Sequence, residues 1–221
     1  TVPGGCFVQS VYTVLAVPAD ISGALSICNG STTTLTSSGT GAWASSNTGV
    51  ITVSGTAATT TATGVGAGTA VVTHTLATTG CFKTATLTVN VMPSAISGTT
   101  GICLGSSQSL LATPSGGTWT TSSASVATVN ASTGLVSAVA TGTSTIRYTM
   151  AGGCFTQVIV TVLTTPANIS GTLSICEGAT SSLLSSDAGP WTSSNTGVVT
   201  VTGTGESAVA TGVSAGTAVV T

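Results

Sequence analysis

The six cysteines hold the most reactive chemistry in this chain, and they fall into two recurring motifs. Cys28, Cys103 and Cys176 sit in Ile-Cys-x-Gly, whereas Cys6, Cys81 and Cys154 sit in Gly-Cys-Phe. Zinc needs four Cys or His ligands in one place, and each motif offers one. A Ser-His-Asp site needs His74, the single imidazole, which lies in an alternating stretch beside one Gly-Cys-Phe. The corresponding stretches elsewhere hold no His, with Tyr148 and Met150 nearby. Acid–base catalysis needs paired carboxylates, but Glu177, Asp187 and Glu206 fall on separate loop-like stretches and read as isolated solvated charges. Calcium needs clustered carboxylates, and no Asp-x-Asp pattern occurs. GVGAG at 64–68 precedes a strand-like stretch and returns as GVSAG at 212–216, so it reads as a turn and not a phosphate loop. No enzyme activity, metal or cofactor is expected. Regularly spaced cysteines without metal partners point instead to disulfides and an oxidising, extracellular setting.

Composition narrows the class further. Charged residues make up 3% of the chain, against roughly 25% in an ordinary soluble domain. Thr, Ser, Gly and Ala must therefore form the surface. Little self-repulsion keeps copies apart, which suits an assembled or surface-attached material. A net charge of -2 leaves no basic footprint for nucleic acid. The apolar runs, such as VIVTVL at 158–163, are far shorter than the roughly 20 residues a membrane span requires. The absence of a leader sequence is what a mature product or an excerpt would show. NGS (29–31), NAS (130–132) and NIS (168–170) match the N-glycosylation pattern, a match that chance supplies as easily as design.

Internal repetition organises the whole sequence. PADISG at 18–23 returns as PSAISG at 93–98 and PANISG at 166–171. WASSNTGV at 43–50 returns as WTTSSASV at 119–126 and WTSSNTGV at 191–198. ATGVGAGTAVVT at 62–73 returns as VATGTSTIRYT at 139–149 and ATGVSAGTAVVT at 210–221. Successive Ile-Cys-x-Gly cysteines are 75 and 73 residues apart, a period of about 74, the size of a small domain. The implied modules are 18–92, 93–165 and 166–221, with 1–17 as the last strand of a further module.

Within a period, TTTLTSS, GVITVSG, GTAVVTHTL and FKTATLTVNV alternate apolar and polar residues and favour β-branched side chains. Gly, Asn and Ser clusters supply turns. The expectation is all-β: about seven short antiparallel strands per module, packed as a β-sandwich. Trp43, Trp119 and Trp191, with Leu35, Leu110 and Leu183 seven residues after each Ile-Cys-x-Gly cysteine, are the expected core.

The Trp followed by Ser-Ser, then V-x-T/V, then the TG-x-x-AG-T turn resembles bacterial immunoglobulin-like repeats of group two. This resemblance covers the whole chain and implies immunoglobulin-like sandwiches arranged head to tail. Such modules serve as stalks, adhesin spacers and occasional sugar binders. The second copy departs at TGTST, 141–145, where the Ala-Gly of the turn is lost.

Two disulfide schemes follow. One closes each module on itself, Cys28 with Cys81 and Cys103 with Cys154. In an immunoglobulin-type strand order, however, the two motifs lie at opposite ends of the sandwich. A strand of eight residues spans about 25 Å, whereas disulfide Cα atoms lie about 5.5 Å apart. The other scheme joins an Ile-Cys-x-Gly cysteine to the Gly-Cys-Phe cysteine of the next module, which inside this chain is Cys28 with Cys154.

The third copy runs to TAVVT at 221 without its Gly-Cys-Phe or last strand, and residues 1–17 carry such a piece. Either the array continues covalently, or residues 1–17 complete the third module of a neighbouring copy. The expected function is structural: an extracellular or cell-surface filament or stalk whose partner is more of itself. The alternative is an adhesin or a glycan- or protein-binding module, against which the short, small and similar loops argue.

Overall fold

The computed structural model describes residues 8–221, the side chains of Asp187 and Ala188 excepted. Cys6 and the first seven residues lie outside the described part. Contacts divide the chain into two compact units, one extending to Val162 and one spanning Leu163–Thr221. Among the described residues every regular element is a strand and there is no helix.

The first unit contains two sandwiches. The first is built from β1 (Ser26–Cys28), β2 (Thr32–Thr36), β3 (Gly41–Ser45), β4 (Ile51–Ser54), β5 (Thr59–Gly64), β6 (Gly68–Leu76) and β7 (Phe82–Asn90). One sheet has the order β1-β7-β6-β3, and the facing sheet the order β2-β5-β4. The second sandwich repeats the plan with β8 (Gly101–Cys103), β9 (Ser107–Ser109), β10 (Thr118–Thr121), β11 (Ala127–Val129), β12 (Leu135–Ala138), β13 (Gly142–Thr149) and β14 (Phe155–Leu163). Its sheets are β10-β13-β14-β8 and β11-β12-β9.

Alternation dictates these strands. In β6 the inward residues Ala70, Val72 and His74 are buried, and in β7 Leu87 and Val89 are. One pairing departs from the antiparallel expectation. β1 runs parallel to β7, with Ser26 opposite Thr88, Ile27 opposite Val89 and Cys28 opposite Asn90. This arises because the chain enters the sheet at β1 and then crosses to the facing sheet at β2. The last strand of the module therefore lies inside its sheet, bonded on both sides to β1 and β6.

The core of the first sandwich gathers Leu35, Trp43, Ile51, Val72, Leu87 and Val89. That of the second gathers Leu110, Trp119, Val136, Ile146, Val160 and Val162. The TGTST departure proves smaller than the sequence suggested. Gly142 pairs with Val162 as Gly68 pairs with Val89, and both glycines have positive φ, 137° and 145°. Of the Ala-Gly pair only the alanine is replaced, by Thr141, and the strand begins at the same place.

The second unit, β15 (Ser170–Gly171), β16 (Thr180–Pro190) and β17 (Val199–Gly212), forms one three-stranded sheet. Its Leu183 is buried like Leu35 and Leu110. The second sheet has no counterpart here among the described residues. Residues 174–176, which answer to β1, form no strand, and residues 217–221 contribute a single bridge, Ser193 to Val220.

Leu35 and Leu110 are 0% and 1% exposed. Truncating a fully buried leucine costs about 2–5 kcal/mol. Leu35→Ala is expected to lower the unfolding free energy of the first sandwich by that amount, measured by denaturant titration. An effect under about 1 kcal/mol would place Leu35 outside the core, because exposed substitutions fall in that range.

Candidate functional site: the junction between sandwiches

The chemistry of this chain concentrates where the first sandwich meets the second. Cys28 closes β1 and stands opposite Asn90, the last residue of β7. Cys154 sits in the turn before β14 and is 1% exposed. The two form a disulfide with Cα atoms 5.7 Å apart, bridging 126 residues of sequence. The within-module alternative, Cys28 with Cys81, fails on distance. Cys81 precedes the start of β7 and Cys28 lies beside its end, nine residues on, or about 30 Å at 3.3 Å per residue. Cys103 with Cys154 is likewise displaced, since Cys154 is already bonded to Cys28.

The same junction geometry occurs one module earlier. Thr79 Oγ1 donates to the Ala16 carbonyl at 3.2 Å, and Cys81 Sγ lies 4.0 Å from the Leu15 carbonyl oxygen. Leu15 occupies the position in its repeat that Asn90 occupies in the next. Cys81 thus sits against the segment before Pro18, as Cys154 sits against the end of β7. Cys81 is half-buried and free, and Cys103 and Cys176 are exposed and free.

The predicted core aromatics divide. Trp43 and Trp119 are 6% and 5% exposed. Trp43 stacks on His74 with ring centroids 4.4 Å apart, and Trp119 packs on Tyr148 at 4.7 Å. Trp191 keeps the indole hydrogen bond of Trp43, donating to the Gly205 carbonyl at 2.9 Å as Trp43 does to Ala57 at 2.8 Å. It is only half-buried, however.

His74 is a packing residue. It is fully buried, and neither ring nitrogen has a hydrogen-bond partner. Tyr148 takes the equivalent place and uses its hydroxyl, accepting from the Gly117 amide at 2.7 Å and donating to the Pro114 carbonyl at 2.8 Å. Burial pushes the His74 pKa below its ordinary value near 6.5. Asp20 is exposed and pairs with Lys83 at 2.7 Å, which lowers its carboxyl pKa. Arg147 stacks over Phe155, 3.3 Å from the ring centroid. Glu177 and Glu206 are exposed, and no cluster of three or more metal-ligating side chains occurs among the described residues.

Sequence reasoning missed the cleft of the second unit, about 250 Å³, lined by Ile169, Leu173, Ile175, Val199, Ala218 and Val220. Ile175, Ala218 and Val220 answer to Ile27, Ala70 and Val72, which are buried in the first sandwich on the two strands that flank β7.

No protein-family profile matches the sequence, and no curated protein does. Solved structures do match. The C-terminal 282-residue fragment of intimin, solved with the intimin-binding domain of the translocated intimin receptor, is 14% identical with TM-score 0.51; the match covers 72% of this chain and 68% of that one. The titin I-band fragment I67–I69 is 14% identical over 91% and 90% of the two chains, with TM-score 0.31. Domains 1–6 of the surface-layer protein SbsC are 17% identical over 93% of this chain and 38% of that one, with TM-score 0.32. The fold is that of tandem immunoglobulin-like β-sandwiches.

The buried, neutral imidazole has a pH consequence. A depressed folded pKa means that the His74 contribution is complete above about pH 6.5 and is lost as pH falls below it, since the unfolded chain binds the proton first. The melting temperature of the first sandwich is therefore expected to drop between pH 7 and 5. His74→Phe should flatten that part of the profile, and an unchanged slope in the variant would assign the acid sensitivity elsewhere.

Proposed function

We propose that this chain is a structural protein of the cell exterior, a filament or stalk of head-to-tail immunoglobulin-like modules of the bacterial group-two kind. The modules are 18–92, 93–165 and 166–221, with residues 1–17 acting as the closing strand of a neighbouring module. Each junction is stapled by a disulfide of the Cys28–Cys154 type, and array growth proceeds by covalent continuation or by donation of a strand from the next copy.

The Cys28–Cys154 bond supports this reading most directly, because it ties one sandwich to its successor instead of bracing a single core. Such a bond resists pulling and bending at the junction while adding nothing to a catalytic or binding pocket. The scarcity of charge supports it too, since faces of Thr, Ser and Ala favour association over dispersal. The intimin fragment was solved with a receptor domain, so an adhesive tip is the competing reading for this chain.

Negative-stain electron microscopy of the purified, non-reduced protein is expected to show thin unbranched filaments. A monodisperse 21.0 kDa species that forms no filament and binds ligands on a glycan array would overturn the structural reading in favour of the adhesive one.

A further inference from the structure

The Cys28–Cys154 bond encloses most of the two sandwiches of the first unit in one covalent loop. Its cysteines are 126 residues apart in sequence, yet their Cα atoms lie 5.7 Å apart. Cys28 is the last residue of β1, and Cys154 immediately precedes Phe155, the first residue of β14. Every strand from β2 to β13 therefore lies inside the loop. Only β1 and β14, with the chain before the one and after the other, lie outside it.

The junction makes these two strands consecutive parts of one path. β1 runs parallel to β7, so Cys28 reaches the junction beside Asn90, the last residue of β7. β14 starts at the same junction, from the turn that carries Cys154. A second contact seats that turn. A Cβ on Gly152, whose φ is 89°, would collide with the Asn90 side-chain amide. Asn90 Nδ2 in turn donates to Ser26 Oγ in β1 at 2.8 Å. A path that enters along β1 thus crosses the sulfur–sulfur bond and leaves along β14 without passing through residues 29–153.

We propose that this bond is a tension bypass, and that its oxidation state sets how far the first unit can be stretched. The proposal rests on the stalk reading above and specifies how such a stalk bears load. A pull transmitted from before β1 to beyond β14 is carried by β1, the disulfide and β14. Hydrogen bonds and apolar contacts are individually weak and give way under load, whereas the covalent bond stays. Unfolding of either sandwich therefore adds no length between Cys28 and Cys154 while the bond holds. A chain reaches about 3.3–3.6 Å per residue at full extension, so the separation of 126 residues conceals roughly 400–450 Å.

Burial decides how the bypass opens. Cys154 is 1% exposed, whereas Cys28 is half-buried. A dithiol reductant in its thiolate form attacks the Cys28 sulfur, forms a mixed disulfide there and expels Cys154 as a thiolate, which takes up a proton. The second thiol of the reductant then displaces Cys28 as a thiol. Both cysteines end as thiols, and the dithiol, having lost two electrons and two protons, leaves as a disulfide.

Force spectroscopy on single full-length chains, held by a handle at each terminus, tests the bypass. Free thiols are first capped with iodoacetamide so that they form no further bonds. The fully extended oxidised protein is expected to be roughly 400–450 Å shorter than the same protein after dithiothreitol. Two further unfolding steps, one for each sandwich of the first unit, should appear only after reduction. Cys28→Ser should give the long extension without reductant, a reading that does not depend on how stably the variant folds. Equal extensions before and after reduction, or both sandwich steps already present in the oxidised protein, overturn the proposal. Lengthening without the two steps also overturns it, because the released segment would then be slack and bear no load. Equal extensions in a protein that forms filaments leave the stalk reading in place. The expected difference in a protein that forms no filaments supports the bypass and overturns the stalk reading.

Discussion

The closing strand is the constraint on which each sandwich depends. In most hairpin-built sheets the last strand is an edge, and removing it costs one row of hydrogen bonds. Here β7 lies between β1 and β6, so it satisfies backbone groups on two neighbours and carries Leu87 and Val89 into the core. Burying each such side chain stabilises the fold by about 1.5–3 kcal/mol. In the second unit the corresponding places are arranged differently. Residues 174–176 form no strand, Val220 keeps a single bridge, and the apolar residues between them line a cleft.

The same strand also explains why the disulfide spans two modules. A parallel β1 beside β7 puts the end of β1 at the far end of the sandwich from the turn that opens β7. The two motifs of one module are therefore separated by the length of the strand, while the motifs of successive modules meet at the junction. A domain of about 74 residues buries a limited core, and its faces carry almost no charge. Cross-linking between modules then constrains the junction, where a chain of small domains would otherwise bend.

Chemistry-bearing side chains in this chain serve packing. His74, Tyr148, Trp43 and Trp119 occupy equivalent cross-strand positions and pack in pairs, Trp43 stacked on His74 and Trp119 tilted against Tyr148. His74 and Tyr148 exchange for one another because the site asks for a flat ring against the indole. Only the tyrosine brings a polar group that finds partners there.

Much of this was legible in residue order alone. The period, the strand stretches 68–76 and 82–90, and the buried positions Leu35, Leu110, Trp43 and Trp119 follow from alternation and recurrence, because a two-residue period commits one face of a strand to the core. The third tryptophan shows the limit of that reasoning, since recurrence predicts the same burial for Trp191 and the structure half-buries it. Motif spacing admitted two cysteine pairings, and strand direction chose between them: the parallel β1–β7 register places Cys28 beside Asn90 and away from Cys81. Local pattern determines which residues are strand and which face inward. The order and direction of strands in the sheet, and so which cysteines meet, are set by non-local pairing that only the folded chain contains.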